Sequence, residues 1–339
     1  MERAVLSKAM LAALDSEERV FLCDDDIART YKKIFRYVKD DERLIHFSSD
    51  NVAMFSDCYI LYAIAFMGIA SKDSIEMFLR ALATKYPELA IVYNKTKNEM
   101  EGRLHTLVNM GFIFQYRYSV EAIGDTGEKK SQAVSLFTVI DSAFHIVRQR
   151  LQKVDLRINE GFKYKPIDEL IGWAATAYVG SCIAQSPYFV CYLEKVISTK
   201  QVGTAYLPFE LKTSVDGTLY YTAVFNSFLY HNKLIQTPSD YAAFCADKLN
   251  VVKNYLTVRT KKGISIACIV VRDYADLEEI SRLISKVPAL CEYLERIYFT
   301  GEGIVRGMKG DVSKSFLQIV VDADSEMGYR YECVKPVFM

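Results

Sequence analysis

The sequence predicts an α+β protein in two parts: a helical first half that closes on a β-hairpin, then a second half in which helices and strands alternate. Three observations carry this. Three stretches between Ser56 and Gly111 have the apolar spacing of helices, and two β-rich runs follow them directly. Beyond residue 167, β-branched strings alternate with helical patterns. Between the halves, residues 152–166 form a polar, basic stretch that reads as a linker. A chain of 339 residues suits about two domains. The expected division is 1–151 (core 56–140), the linker 152–166, an α/β domain at 167–323, and a C-terminal tail at 324–339.

The elements follow in order. Arg3 to Leu14 is rich in good helix formers. Asp24-Asp25-Asp26 precedes Ile27 to Phe35 and reads as the acidic start of another helix. Ser56-Asp57 precedes an apolar helix to Ala70, and Ser71-Lys72-Asp73 opens a second helix carrying Ile75, Phe78, Leu79 and Leu82. A third begins near Thr96, where Thr96-Lys97-Asn98-Glu99 has the form of a capping box. Met100, Leu104, Leu107 and Val108 form its apolar stripe, and Gly111 ends it. Phe112 to Tyr118 and Val134 to Ile140 read as strands, joined by a hydrophilic tip from Gly124 to Ser131. In the second half, a helix is expected over 168–184 and strands over 188–197, 205–212 and 219–230. A helix over 238–258, a strand over 263–272, a helix over 276–285 and strands over 296–300 and 316–321 follow.

Composition limits function. The formal net charge is zero, so nucleic-acid binding would need a local patch. Apolar runs at 58–70 and 170–184 are shorter than the roughly 20 residues that span a bilayer, so they read as buried helices and no membrane partner is expected. The eight cysteines show no C-x-x-C spacing, and the N-terminus lacks a signal-peptide pattern. Reduced core thiols and a cytoplasmic setting are therefore expected. His46, His105, His145 and His231 lack zinc-ligand spacing. No P-loop, G-x-G-x-x-G after a strand or G-x-S-x-G is present. No cofactor is expected.

Ser56 to Ile140 resembles the winged helix-turn-helix superfamily. The likeness lies in the order of elements and in Glu101-Gly102-Arg103-Leu104-His105-Thr106-Leu107-Val108-Asn109-Met110-Gly111-Phe112-Ile113. The resemblance implies a recognition helix with one face docked and one offered to the major groove of double-stranded DNA. Lys97, Asn98, Arg103 and His105 are the candidate readers, and Lys95 a phosphate contact. Lys129 and Lys130 at the hairpin tip, Arg117 on the first strand, and Arg148 and Arg150 before the linker extend the candidate surface. Glu99, Glu101, Glu121, Asp125 and Glu128 nearly cancel these cations, which keeps a protein-contact module as the rival.

The second half resembles the restriction-endonuclease-like fold. The whole chain resembles the replication-relaxation and mobilisation accessory proteins of plasmids and conjugative elements. That likeness implies a DNA-binding accessory or initiator protein, a possible homodimer, with a relaxase or replication protein as partner. Active nucleases of that fold place an acid on one strand and acid-x-lysine on the next, to hold Mg²⁺. Here Glu210-Leu211-Lys212, with Glu194 or Asp216, is the candidate set. The following strand, Ala223-Val224-Phe225-Asn226, has no acid, so a degenerate, non-enzymatic domain is expected and a Mg²⁺-dependent nuclease is the alternative.

Overall fold

The computed structural model describes residues 4–5, 32–34, 52–86, 89–90, 93–94, 97–123, 129–140, 167–190, 209–226, 238–258, 263–272, 274–308 and 312–339. They form a mixed α+β structure in two compact units. One takes its described residues from 17–185. The other takes them from 1–16, 186–190 and 197–339.

The larger sheet belongs to the second of these units. Ala4–Val5 (β1) lies at one edge and pairs with Tyr329–Cys333 (β12). In the helical unit, Lys32–Ile34 (β2) pairs with Ile113–Ile123 (β4). Both β1 and β2 fall where helices were expected. Intrinsic helix propensity is a weak preference, and a sheet edge that needs backbone partners overrides it.

The helical unit runs Val52–Met67 (α1), Ala70–Ser71 (β3), Lys72–Lys85 (α2), Met100–Asn109 (α3), β4 and Lys129–Val139 (β5). It ends in Ile167–Ile183 (α4). Its sheet has the order β2-β4-β5-β3, with β3 antiparallel to β5. Ser71 caps α2, its hydroxyl accepting from the Ser74 amide at 3.3 Å. Phe66 of α1 stacks on Phe78 of α2 at 5.0 Å. The end of α3 is stapled by two bonds, from Phe112 N to Leu107 O (2.9 Å) and from Gly111 N to Val108 O (3.0 Å). Gly111 adopts φ 68° to make them, as a left-handed C-terminal cap requires. The start of α3 differs from expectation. The helix begins at Met100, and Glu99 at its N-cap makes no side-chain capping bond.

The expected domain boundary also moves. The helix assigned to the start of the second domain, α4, packs in the first unit. Leu170, Ile171, Trp173 and Ala174 bury against Phe114, Tyr116 and Leu136 of the hairpin. The hairpin has an apolar face that needs cover, and α4 is apolar enough to supply it. The linker 152–166 lies outside the described residues.

The second unit is an eight-stranded sheet in the order β1-β12-β11-β10-β9-β8-β7-β6. Its strands are Phe189–Val190 (β6), Phe209–Val215 (β7), Thr218–Asn226 (β8), Ile264–Val270 (β9), Ile297–Thr300 (β10), Leu317–Val321 (β11), β12 and β1. Only β8–β9 and β9–β10 are parallel. Pro238–Val258 (α5) and Tyr274–Ser285 (α6) make the two crossovers. Both bury on one sheet face: Leu249, Val252, Tyr255 and Leu256 from α5 and Leu277, Ile280 and Ile284 from α6 meet Ala223, Phe225, Ala267, Ile269, Ile297 and Phe299. Two short helices, Pro288–Cys291 (α7) and Glu302–Gly307 (α8), complete the connections. Residues 324–339, expected as a tail, are integral. They supply β12, and Phe338 is fully buried against Tyr298 and Phe316.

Among the described residues no helix is long and apolar enough to cross a membrane. Cys58, Cys182, Cys245 and Cys268 are buried thiols outside any disulfide, whereas the Cys291 thiol is exposed.

Two predictions follow from the sheet. Gly263 has φ 150°, and a Cβ there would lie 2.5 Å from the Leu219 carbonyl oxygen and 2.8 Å from the Tyr221 ring. Gly263→Ala should lower stability by roughly 1–3 kcal/mol in urea unfolding. Burial pushes the Tyr298 phenol up from 10.0 to about 12, so folding favours its protonated form. That contribution is intact below pH 10 and is lost as pH rises towards 12. An alkaline unfolding titration should show Tyr298→Phe to be less pH-sensitive across this window.

Candidate nucleic-acid interface

The inward face of α3 is Met100, Leu104, Leu107 and Val108, all buried, as its stripe predicts. Its outward face carries Glu101, Gly102, His105 and Asn109, all exposed. Lys97, Asn98 and Glu99 are exposed in the turn before it. Glu101 lies 3.6 Å from Lys72 of α2. The carboxylate is 76% exposed, so this pair adds little stability.

Arg103 does not stand with the outward residues. Its Nε and Nη2 lie 2.8 and 2.7 Å from Oδ1 of Asp57, whose side chain has no exposed surface. This ion pair ties α3 to α1. The expectation for Arg103 as a groove reader is corrected on that ground: a buried carboxylate claims the guanidinium. Asp57 also departs from expectation. Its place after Ser56 suggests a helix start, yet α1 begins at Val52 and Asp57 lies inside it. The signal was present, since Asp57 is the single charged residue of Val52–Met67. A lone charge in an apolar helix needs a partner.

Arg117 is exposed on β4, in register with Lys32 of β2. Lys129 and Lys130 are not at the hairpin tip. They open β5, in register with Ile123 and Ala122. The hairpin is longer than predicted because pairing continues through polar residues whose β propensity is modest. Lys95, Arg148 and Arg150 lie outside the described residues.

The nuclease candidates do not converge. Glu210 is buried on β7, with the Tyr255 hydroxyl of α5 2.7 Å from its Oε2. The same hydroxyl lies 2.8 Å from the Tyr221 carbonyl. This contact links α5 to the sheet, and no spacing rule in the sequence pointed to Tyr255. Lys212 is two residues along, half-buried and on the same face as Glu210. Opposite them on β8 stand Ala223 and Tyr221, so the neighbouring strand brings no acid into register. Asp216 is corrected as the partner acid. It forms the β7–β8 turn with Gly217, at φ 48° and 79°. It lies six positions along the chain from Glu210, about 20 Å for extended strand. Glu194 lies outside the described residues. Among the described residues, no three His, Cys, Asp or Glu side chains are grouped to hold a metal ion.

No protein-family model matches the chain, and comparisons with curated proteins and with solved structures find no significant match.

Arg103→Ala should lower stability by roughly 3 kcal/mol, because it removes the cation that neutralises the buried Asp57 carboxylate. Chemical denaturation checks this, and an unchanged midpoint would mean that Asp57 is satisfied without Arg103. The loss should shrink when Asp57→Asn is added, since the buried charge is then gone.

Proposed function

We propose that residues 52–140 are a winged helix-turn-helix that binds double-stranded DNA. The observation that carries this reading is the pairing of β3, the short strand between α1 and α2, with β5 of the hairpin. With it, the order α1-β3-α2-α3-β4-β5 supports the winged-helix reading, in which α3, with its polar outward face, would be the recognition helix. Lys97, Asn98 and His105 are the exposed groups of that region suited to base edges and phosphates, with Arg117 and Lys129 along the wing. Arg103 holds the helix in place instead.

The second unit is proposed as a degenerate restriction-endonuclease-like domain. From β6 to β10 the strands lie in spatial sequence and only β7 runs opposite, which supports the likeness. The helix that would open such a fold, α4, is part of the other unit, and the acid-x-lysine is missing from β8. We infer a non-enzymatic role: added DNA contact, dimerisation or docking of a relaxase or replication protein. The chain would then act in the cytoplasm, in mobilisation, replication or regulation of a bacterial mobile element.

A second reading, a protein-contact module, is favoured by the loss of Arg103 from the outward face and by the exposure of Glu101. Fluorescence anisotropy with random duplex at two salt concentrations separates the two. DNA binding predicts affinity that falls with salt. Lys97→Ala, Arg117→Ala and Lys129→Ala should each weaken it and reduce the salt slope by about one. No binding at low salt would leave the protein-contact module standing.

A further inference from the structure

Gly102 occupies the outward face of α3 without an internal reason. Gly217, Gly263 and Gly328 adopt left-handed φ values, and Gly301 has the Val271 carbonyl oxygen 3.0 Å from where a Cβ would sit. Gly102 has neither constraint. Its φ is ordinary for a helix, and among the described residues no heavy atom beyond its chain neighbours and its own helix backbone lies within 4 Å of an added Cβ. Gly307 is equally open but closes the last turn of α8, where a helix ends in any case. Gly102 sits inside a ten-residue helix, its carbonyl accepting from the Thr106 hydroxyl at 2.9 Å. Alanine would be the better helix former there. The fold itself would gain by the change, and what the missing side chain leaves bare is the outward surface of the helix.

We propose that Gly102 is the point where the α3 backbone closes on the DNA duplex, its bare surface letting the helix seat deeper in the major groove. This rests on the DNA-binding reading above. A helix with its side chains is about 10–12 Å across and the groove about 12 Å wide, so depth is gained where a side chain is absent. The surroundings are polar, as contact with the edges of base pairs requires. The exposed neighbours of the bare spot are Asn98, Glu99, Glu101 and His105, with Lys97 one residue before Asn98. None is a large apolar side chain of the kind that anchors a protein interface. Asn98, His105 and Lys97 supply hydrogen-bond donors to base edges and phosphates, and Glu101 can accept from cytosine.

The test uses the full chain, a fluorescein-labelled random duplex at low salt, and the variants Gly102→Ala and Gly102→Leu. Thermal melts accompany the binding curves. Gly102→Ala should melt higher than the unmodified protein and yet bind about tenfold more weakly. Gly102→Leu should bind more weakly still with the helical circular dichroism retained. This pairing of gained stability with lost affinity is what a merely structural glycine would not show. If both variants bind like the unmodified chain, the inference about Gly102 is overturned while the DNA-binding reading stands. If the unmodified chain does not bind duplex, both fall together.

Discussion

A carboxylate with no exposed surface, Asp57, organises the helical unit. It lies within a helix that has no other charge, so its energy depends on a cation brought from elsewhere. Arg103 of α3 provides it, at 2.7 Å. That contact acts together with the apolar stripe from Met100 to Val108 to fix the rotation of α3. Once the stripe and the arginine are docked, Glu101, Gly102, His105 and Asn109 have only the outer side left. The proposed recognition surface is thus a consequence of what the core demands. Its electrostatic character is set the same way, because the core removes one arginine from a face already balanced by Glu99 and Glu101.

The larger sheet rests on a different constraint. Parallel strands cannot be joined by a tight turn, and each needs a crossover that covers the sheet. The chain meets this twice, with α5 between β8 and β9 and α6 between β9 and β10. Because both helices return over one face, the small residues Ala223 and Ala267 lie in register beneath them and the larger Phe225, Ile269 and Phe299 fill the flanks. Glu210 enters this core at the β7 edge, where the Tyr255 hydroxyl meets its carboxylate. A buried polar group of this kind needs a partner, and Tyr255 is placed by the crossover itself. The contact gives Glu210 a structural place in the core, between β7 and α5.

Several elements were legible in advance because their signals are local. The Ser71 cap, the stripe of α3, the left-handed Gly111 and the two β-rich runs depend on residues close in sequence. So did the strands and helices of the second half, where α5, β9, α6, β10 and β11 lie close to their expected positions. The capping box at Thr96 met every spacing rule, yet α3 begins four residues later. The matching of residues to a pattern does not say which turn the chain joins first. Arg103 and Asp216 show the same limit at the candidate sites. Each is of the right type for its expected role, and each is committed elsewhere by a contact or a turn.

Local pattern therefore determined the class of structure, most element positions in the second half, and which face of α3 is apolar. It did so because helix periodicity, strand propensity and turn chemistry act over a few residues. Only the tertiary structure decided what depends on distant partners. It made strands of Ala4–Val5 and Lys32–Ile34 at sheet edges, moved α4 onto the hairpin, and folded the last residues into the sheet as β12. It also gave Asp57 to Arg103 and Glu210 to Tyr255. Those pairs stand 46 and 45 residues apart in the chain. Burial makes an unpartnered charge or backbone group costly, and that cost is felt only after the chain has closed on itself.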